Sequence, residues 1–190
     1  MLAPLAHLFP LPEIVPRGGV YASLVRAIVG QQLSGRAAST IHGRFLDLFP
    51  TEYPDPELLP DFDDAALRAA GLSRAKVAYI RATAAYFLDN RLLNHDWSAD
   101  ADEEIITRLT AIHGVGRWTV EMLLIFTLHR PDLLPLNDLV VRRQLVERLE
   151  LTELKPRAQT QAILERAEAW RPHRTTVARL MWAVQNTVVG

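Results

Sequence analysis

The chain has 190 residues, of which 49% are hydrophobic, so it can bury a core and is bounded to one domain or two small lobes. It contains no cysteine, which excludes disulfides, thiolate nucleophiles, cysteine zinc sites and cysteine-ligated iron–sulfur clusters. Its net charge of -1 argues against a protein that coats nucleic acid.

The N-terminal stretch MLAPLAHLFPLPEIVPRGG lacks the basic region and unbroken apolar run of a secretory signal, and no later stretch is long enough to span a membrane. We therefore expect no membrane partner and a cytoplasmic location.

The charges are unevenly spread along the sequence. Arg117 to Arg179 carries eleven basic and eight acidic residues, whereas Thr51 to Asp64 carries six acids and no base. Ordinary solvated helix faces explain this distribution as well as a DNA contact does.

Apolar residues recur at spacings of three and four along most of the chain, whereas a period of two is not evident. This pattern predicts an all-α fold. The predicted helices, in chain order, are Val20–Leu33, Gly35–Phe49, Ala65–Ala70, Ser73–Asn90, Ala101–Ile112, Arg117–His129, Asp138–Leu149, Thr160–Trp170 and Arg174–Val188.

Residues that start and stop helices support these assignments. Ser34 and Ser73 can each cap the helix that follows, and Gly71 can end the helix before it. The proline-rich segment from Phe49 to Asp64 is predicted to be an ordered surface loop, because helices of similar character continue on both sides. We expect two helical lobes with a central cleft, divided near the helix that begins at Arg117.

The segment IHGVGRW places a Gly-Val-Gly turn between two predicted helices and so predicts a helix-hairpin-helix motif. Gly114 and Gly116 have no Cβ to block an anion, and the next helix directs its positive end at the turn. The N–H groups near Gly114, Gly116 and Thr119 could hold one DNA backbone phosphate, which would grip DNA without reading its sequence. The alternative is an αα-hairpin turn that uses glycines for geometry alone.

Asp138 stands in the segment PLNDLVV, at the start of the next predicted helix. Either Asn137 or Asp138 can be the N-cap of that helix. A carboxylate at a helix N-terminus is stabilised in its charged form by the dipole, and it can in turn stabilise the positive charge that develops on a sugar when an N-glycosidic bond breaks. Asp138 is therefore the candidate catalytic residue.

The Gly-Val-Gly hairpin, followed by Asp138 at the start of the next predicted helix, resembles the hairpin of the HhH-GPD superfamily of DNA base-excision glycosylases. Three further segments resemble the family in the same order. These are VRAIVGQQLSGRAAS (Val25–Ser39), LRAAGLSRAKVAYI (Leu67–Ile80) and WRPHRTTVARLMW (Trp170–Trp182), the last of which resembles the closing segment of the DNA-3-methyladenine glycosylase II type. The resemblance implies one glycosylase domain over residues 1–190, without the additional N-terminal sheet domain of some members.

The resemblance also indicates a branch of the family. Members that cut the DNA strand use a lysine just after the hairpin, where this chain has Trp118, and a tryptophan cannot form an imine. Several other branches carry a four-cysteine iron–sulfur loop, which this chain cannot form. The sequence therefore predicts a monofunctional glycosylase for alkylated bases of the 3-methyladenine and 7-methylguanine type in double-stranded DNA, and it leaves two alternatives open. These are a non-catalytic damage-binding protein and a glycosylase for uracil or another neutral base.

By the same resemblance, Trp118 and Trp182 would stack on the extruded base, whose positive charge favours an aromatic face. Core packing is the alternative for both tryptophans. Met122 and Leu139 stand where many relatives have tyrosine, so the predicted base pocket is less aromatic. Specificity for alkylated purines would come partly from the positive charge of the base, which an aromatic face attracts.

The family keeps the side chain that fills the hole left by an extruded base in the loop that follows its first core helix. Gln32 is the first candidate for this wedge and Leu33 the second. The alternative is that Gln31 and Gln32 only terminate a helix with their side chains.

The resemblance further implies that the main-chain carbonyls of Thr110, Ile112 and Val115 could hold Na+ or K+ at the hairpin. No cofactor is required, and no histidine spacing suggests zinc or iron. We expect a monomer associated with the nucleoid, whose partner is DNA that contains alkylated bases.

Overall fold

The computed structural model describes residues 11, 13–14 and 19–188, with side chains up to residue 185. This part of the chain is entirely helical and contains no strand, as predicted. Its α-helices are α1 (Val20–Gly30), α2 (Gly35–Leu46), α3 (Asp64–Ala69), α4 (Arg74–Asp89), α5 (Asp102–Thr110), α6 (Arg117–Phe126), α7 (Leu139–Arg148), α8 (Pro156–Ala167) and α9 (Arg174–Val188). Short 3-10 helices occupy Leu59–Asp61 and Glu168–Trp170.

The described residues form two compact units that divide within α6, between Leu123 and Leu124. We call the unit that ends at Leu123 the hairpin unit and the unit that begins at Leu124 the carboxylate unit. No helix in the described part of the chain has the length and apolar character needed to cross a membrane.

In the hairpin unit, α1 packs against α2 and α4. Four apolar residues on α1 are completely buried, at spacings of one, three and one, and so form the apolar stripe of a core helix. These are Leu24, Val25, Ile28 and Val29.

The carboxylate unit is built on the packing of α9 against α7, with α8 also packed on α7. Its core includes Val141 and Leu145 from α7, Ile163 from α8 and Met181 from α9, and all four side chains are fully buried. The start of α7, where Asp138 precedes Leu139, is therefore fixed by a packed helix.

The predicted caps at Ser34 and Ser73 are confirmed. Ser34 accepts a hydrogen bond from the Ala37 N–H at 3.5 Å, and Ser73 accepts one from the Lys76 N–H at 3.3 Å. Gly71 follows α3 with a φ of +108°, which matches its predicted role as a stop.

Several predicted boundaries are wrong. The helix predicted from Thr160 begins at Pro156, because a proline at the first helical position already has a helical φ. The helices predicted to end at Leu33, Phe49 and His129 stop three residues earlier. Their apolar residues continue into turns that periodicity alone does not separate from helix.

The proline-rich segment is held in place by Arg81 on α4, which agrees with its prediction as an ordered loop. The guanidinium donates to the main-chain oxygens of Leu59 at 3.2 Å and Phe62 at 2.6 Å, and to Asp64 Oδ1 at 3.1 Å.

The two hairpin glycines differ in what the fold requires of them. Gly114 has a φ of +88°, and a Cβ there would lie 2.2 Å from Tyr79 Cγ. At Gly116 a Cβ would meet nothing within 4 Å, and its φ is not in the left-handed region. The backbone conformation and the contact with Tyr79 therefore require glycine at residue 114, whereas the fold does not require it at residue 116.

We expect Gly114→Ala to lower the free energy of unfolding by about 2–5 kcal/mol, because it adds backbone strain and a clash with the Tyr79 ring. Gly116→Ala should change it by less than about 1 kcal/mol. Chemical denaturation of the two variants checks this contrast, and equal losses of stability would contradict it.

Candidate functional site

The hairpin predicted from the sequence is present. Its turn, residues 111–116, joins α5 to α6 and is closed by a hydrogen bond from the Val115 N–H to the Ile112 oxygen at 3.1 Å. Val120 N–H bonds to the Gly116 oxygen at 3.2 Å and so makes the first i to i-4 bond of α6. The N–H groups of residues 117–119 precede that bond and point out of the helix N-terminus, where an anion is favoured.

Gly116 is exposed at this N-terminus, whereas Thr119 is buried. Because the fold leaves open space where a Cβ of Gly116 would lie, the absence of a side chain there leaves room for a ligand.

The two wedge candidates are placed differently. The turn of residues 30–33 is closed by a hydrogen bond from the Leu33 N–H to the Gly30 oxygen at 3.1 Å. Gln32 is exposed and has a φ of +59°, while Leu33 is half-buried. The structure thus presents Gln32 to solvent at the tip of the turn.

Asp138, and not Asn137, is the N-cap of α7. Its Oδ1 accepts hydrogen bonds from the N–H groups of Val140 at 3.0 Å and Val141 at 2.9 Å. The carboxylate is buried, with the residue only 9% exposed. Its position is consequently set by the helix it caps.

A third donor reaches the same oxygen from α9. The indole Nε1 of Trp182 lies 3.1 Å from Asp138 Oδ1. The Trp182 ring is half-buried, packs against the core of the carboxylate unit, and has its centroid 5.7 Å from that of Phe126. Trp182 therefore orients the carboxylate, which its sequence position alone did not indicate.

The other predicted pocket residues are notable for their exposure. Trp118 is 48% exposed, although tryptophan on an amphipathic helix is usually well buried. Met122, one turn later on α6, is half-buried. Leu139, next to Asp138 in the carboxylate unit, is 83% exposed. Trp118 and Leu139 therefore each keep a large part of their apolar surface in contact with solvent.

The loop that leads to Asp138 is anchored to the start of α9 through Asp132. Arg174 donates to this residue from Nε to Oδ1 at 2.6 Å and from Nη2 to Oδ2 at 3.0 Å, and Arg171 donates to Oδ2 at 2.7 Å. The hydrogen bond from Arg174 is the main reason that the pKa of Asp132 lies below its ordinary value.

Thr175 adds a second anchor for the same loop. Its Oγ1 donates to the Arg130 oxygen at 2.6 Å and accepts from the Leu133 N–H at 3.0 Å. Neither Asp132 nor Thr175 was identified from the sequence, because nothing in local spacing relates residues about forty positions apart.

Some of the arginines that make this half of the chain basic are held in ion pairs. Arg117, at the start of α6, contacts Glu103 through both Nη atoms and donates from Nε to Glu121 Oε1 at 3.0 Å. Arg171 and Arg174 are likewise paired with Asp132. The number of arginines in this segment therefore overstates the positive charge that is available to bind a phosphate.

The family model for the HhH-GPD superfamily of base excision DNA repair proteins matches residues 25–172. The chain belongs to this superfamily. Its membership confirms the predicted all-α HhH-GPD fold and the resemblance on which the prediction of family rested.

Curated and solved relatives point the same way. DNA-3-methyladenine glycosylase 1 of Schizosaccharomyces pombe is 36% identical over 167 residues, which cover 85% of this chain and 71% of that protein. A structure of 3-methyladenine DNA glycosylase from the same yeast, in complex with abasic DNA, matches with a TM-score of 0.72 and 32% identity over 94% of this chain and 88% of that one. DNA-3-methyladenine glycosidase of Bacillus halodurans matches with a TM-score of 0.80 and 32% identity over 94% and 81%.

The hairpin also offers the carbonyl groups that the superfamily resemblance assigns to a monovalent cation. Ile112 and Val115 belong to one turn, and Thr110 ends the helix before it. Main-chain carbonyl oxygens are suitable ligands for a monovalent cation such as Na+ or K+. Among the described residues, no group of three or more histidine or carboxylate side chains is placed to hold a metal. Cation binding at the HhH-GPD hairpin stays a prediction.

We expect Asp132→Asn to lower the free energy of unfolding by about 1–3 kcal/mol at pH 7, since it removes charge-assisted hydrogen bonds from two arginines. Because the pKa of Asp132 is depressed in the folded protein, this stabilisation is present above the unfolded pKa of about 3.9 and is lost as the pH falls through the folded value. Denaturation at pH 7 and pH 3 checks the effect.

The matched control is Asp64→Asn, which breaks an ion pair with Arg81. The Asp64 side chain in this pair is 63% exposed. Its effect should stay below about 1 kcal/mol at both pH values. A difference between Asp132→Asn and wild type that is as large at pH 3 as at pH 7 would show that the anchor does not depend on the carboxylate charge.

Proposed function

We propose that this protein is a monofunctional DNA glycosylase of base excision repair, which hydrolyses the N-glycosidic bond of alkylated bases in double-stranded DNA and leaves an abasic site. The observation that carries the proposal is the oriented carboxylate of Asp138 in a chain of the HhH-GPD superfamily. The names of its relatives support 3-methyladenine and similar N-methylated purines as the substrate class.

The role of Asp138 follows from its hydrogen bonds. Three donors converge on Oδ1, so the carboxylate does not need to reorganise when positive charge develops nearby. A fixed negative charge stabilises the oxocarbenium-like sugar that forms as the base departs, and it can orient or deprotonate the attacking water. An alkylated purine is cationic and leaves readily, so no general acid is needed.

Hydrolysis without strand cleavage follows from the residue after the hairpin. Trp118 occupies the position of the lysine that strand-cutting members use, and its indole cannot form a Schiff base with the sugar. Trp118 and Trp182 would instead attract the cationic base through their π-faces, worth about 0.5–2 kcal/mol. Met122 and Leu139 are the other two residues that the superfamily resemblance assigns to the base, and neither is aromatic.

The hairpin and the turn of residues 30–33 would supply the contacts with DNA. The N–H groups around Gly114, Gly116 and Thr119 would bind one backbone phosphate, and Gln32, with Leu33 as the second candidate, would fill the space of the extruded base. A phosphate contact of this kind positions the protein on any sequence. We propose that a monomer does this on the DNA of the nucleoid.

The experiment that tests this function is incubation with duplexes that each contain one defined lesion, followed by detection of abasic sites. We expect release of 3-methyladenine and 7-methylguanine, strand breaks only after alkali or heat, and no adduct trapped by borohydride. Binding without release of any base would identify a damage-binding protein. Release of uracil alone would identify a glycosylase for neutral bases, and a trapped adduct would show that an amine such as Lys76 acts as a lyase.

Asp138→Asn isolates the carboxylate charge. Asparagine is an equally good N-cap, so the variant should fold and keep its affinity for DNA. Single-turnover excision should fall by at least about 100-fold, the scale of losing one important electrostatic group.

Asp63→Asn is the matched control, because Asp63 caps α3 through a 2.6 Å hydrogen bond from the Ala66 N–H. The same substitution at this N-cap should leave excision unchanged. Wild-type excision by a folded Asp138→Asn protein would overturn the assigned mechanism.

A further inference from the structure

Two turns of the hairpin unit are joined by one side chain. Gln31 lies in the turn of residues 30–33, which we call the wedge turn, and donates from Nε2 to the Gly114 oxygen at 3.1 Å. Gly114 lies in the turn of residues 111–116, which we call the hairpin turn. The bond spans 83 positions in sequence and connects the element proposed to enter the duplex with the element proposed to bind phosphate.

Helix α4 supports both turns from one face. Lys76 Nζ donates to the Val29 oxygen at 2.7 Å, immediately before the wedge turn. The Tyr79 ring lies over Gly114 and meets the His113 ring edge-on, with centroids 4.9 Å apart. Because Lys76 and Tyr79 are three residues apart, they project from the same side of the helix. The two turns therefore share a common support as well as the direct bond.

The wedge turn has a backbone that needs such support. Gln32 has a φ of +59°, a left-handed conformation that costs a residue other than glycine about 1–3 kcal/mol. It persists only where the surrounding structure holds it. The hydrogen bonds at Gln31 and at the Val29 oxygen hold the chain immediately before Gln32, on its N-terminal side.

We propose that Gln31 is a positioning residue, which couples phosphate binding at the hairpin turn to insertion of Gln32 at the base. This inference rests on the proposed function. The bond from Gln31 to Gly114 sets the distance between the bound DNA phosphate and Gln32. A protein bound to the DNA backbone therefore already holds Gln32 level with the base pair that it enters. Without the bond, the protein still grips the duplex but extrudes the base less efficiently.

Gln31→Met tests the coupling, because methionine is similar in size and cannot donate the hydrogen bond. On a duplex with an N-methylated purine beside 2-aminopurine, we expect a smaller rise in fluorescence, which reports less unstacking. Single-turnover excision should fall about tenfold, the scale of one net hydrogen bond. Affinity for undamaged duplex and the thermal midpoint should change little. Gln161→Met, at an exposed glutamine of α8, is the control and should behave as wild type.

Two further measurements distinguish coupling from general damage to the fold. A lesion placed in an unpaired bubble needs no wedge, so Gln31→Met should excise it at a rate close to wild type. In a Gln32→Ala background, Gln31→Met should add little to the defect, because both residues act through the same wedge.

An equal defect on paired and unpaired lesions, or full additivity with Gln32→Ala, would overturn the coupling while leaving the proposed function intact. Failure of the proposed function is seen separately, because the wild-type protein would then release no alkylated base from any duplex. The 2-aminopurine signal still reports base extrusion in that case.

Discussion

Much of the site depends on one atom, Asp138 Oδ1. This oxygen caps α7 through two backbone N–H groups and accepts the indole N–H of Trp182 from α9. The same contacts that begin a helix thus fix the direction of the carboxylate. Since α7 and α9 pack around a common core, the charge is held by two helices whose side chains are buried together. A preorganised charge of this kind avoids the reorganisation that water would require.

The sequence was sufficient for the parts of the site that depend on local chemistry. A hairpin needs glycine at a left-handed position, and Gly114 has that conformation. A helix start needs a capping side chain, and Asp138 provides it. Helical periodicity predicts the helices around these residues. Several of the predicted helix ends are wrong, because an apolar residue in a turn continues the apolar pattern of the helix before it. Pro156 was missed as a helix start because the apolar pattern becomes clear only later.

The contacts that hold the site together could not be predicted from local pattern. Trp182 is 44 positions from Asp138, and Gln31 is 83 positions from Gly114. Such pairs depend on how helices pack and leave no signature in the spacing of either partner. The same limit applies to charge, since a count of arginines does not show that Arg117 is held by Glu103 and Glu121.

The exposure of Leu139 and Trp118 has a thermodynamic consequence. Both side chains keep apolar surface in water, Leu139 over most of its area and Trp118 over about half. Any ligand that covers this surface removes ordered solvent, and burial of apolar surface lowers the heat capacity of a complex. Association at these residues should therefore become more exothermic as temperature rises. Recognition of a base by this protein would carry a hydrophobic component alongside its electrostatic one, and salt would weaken only the latter.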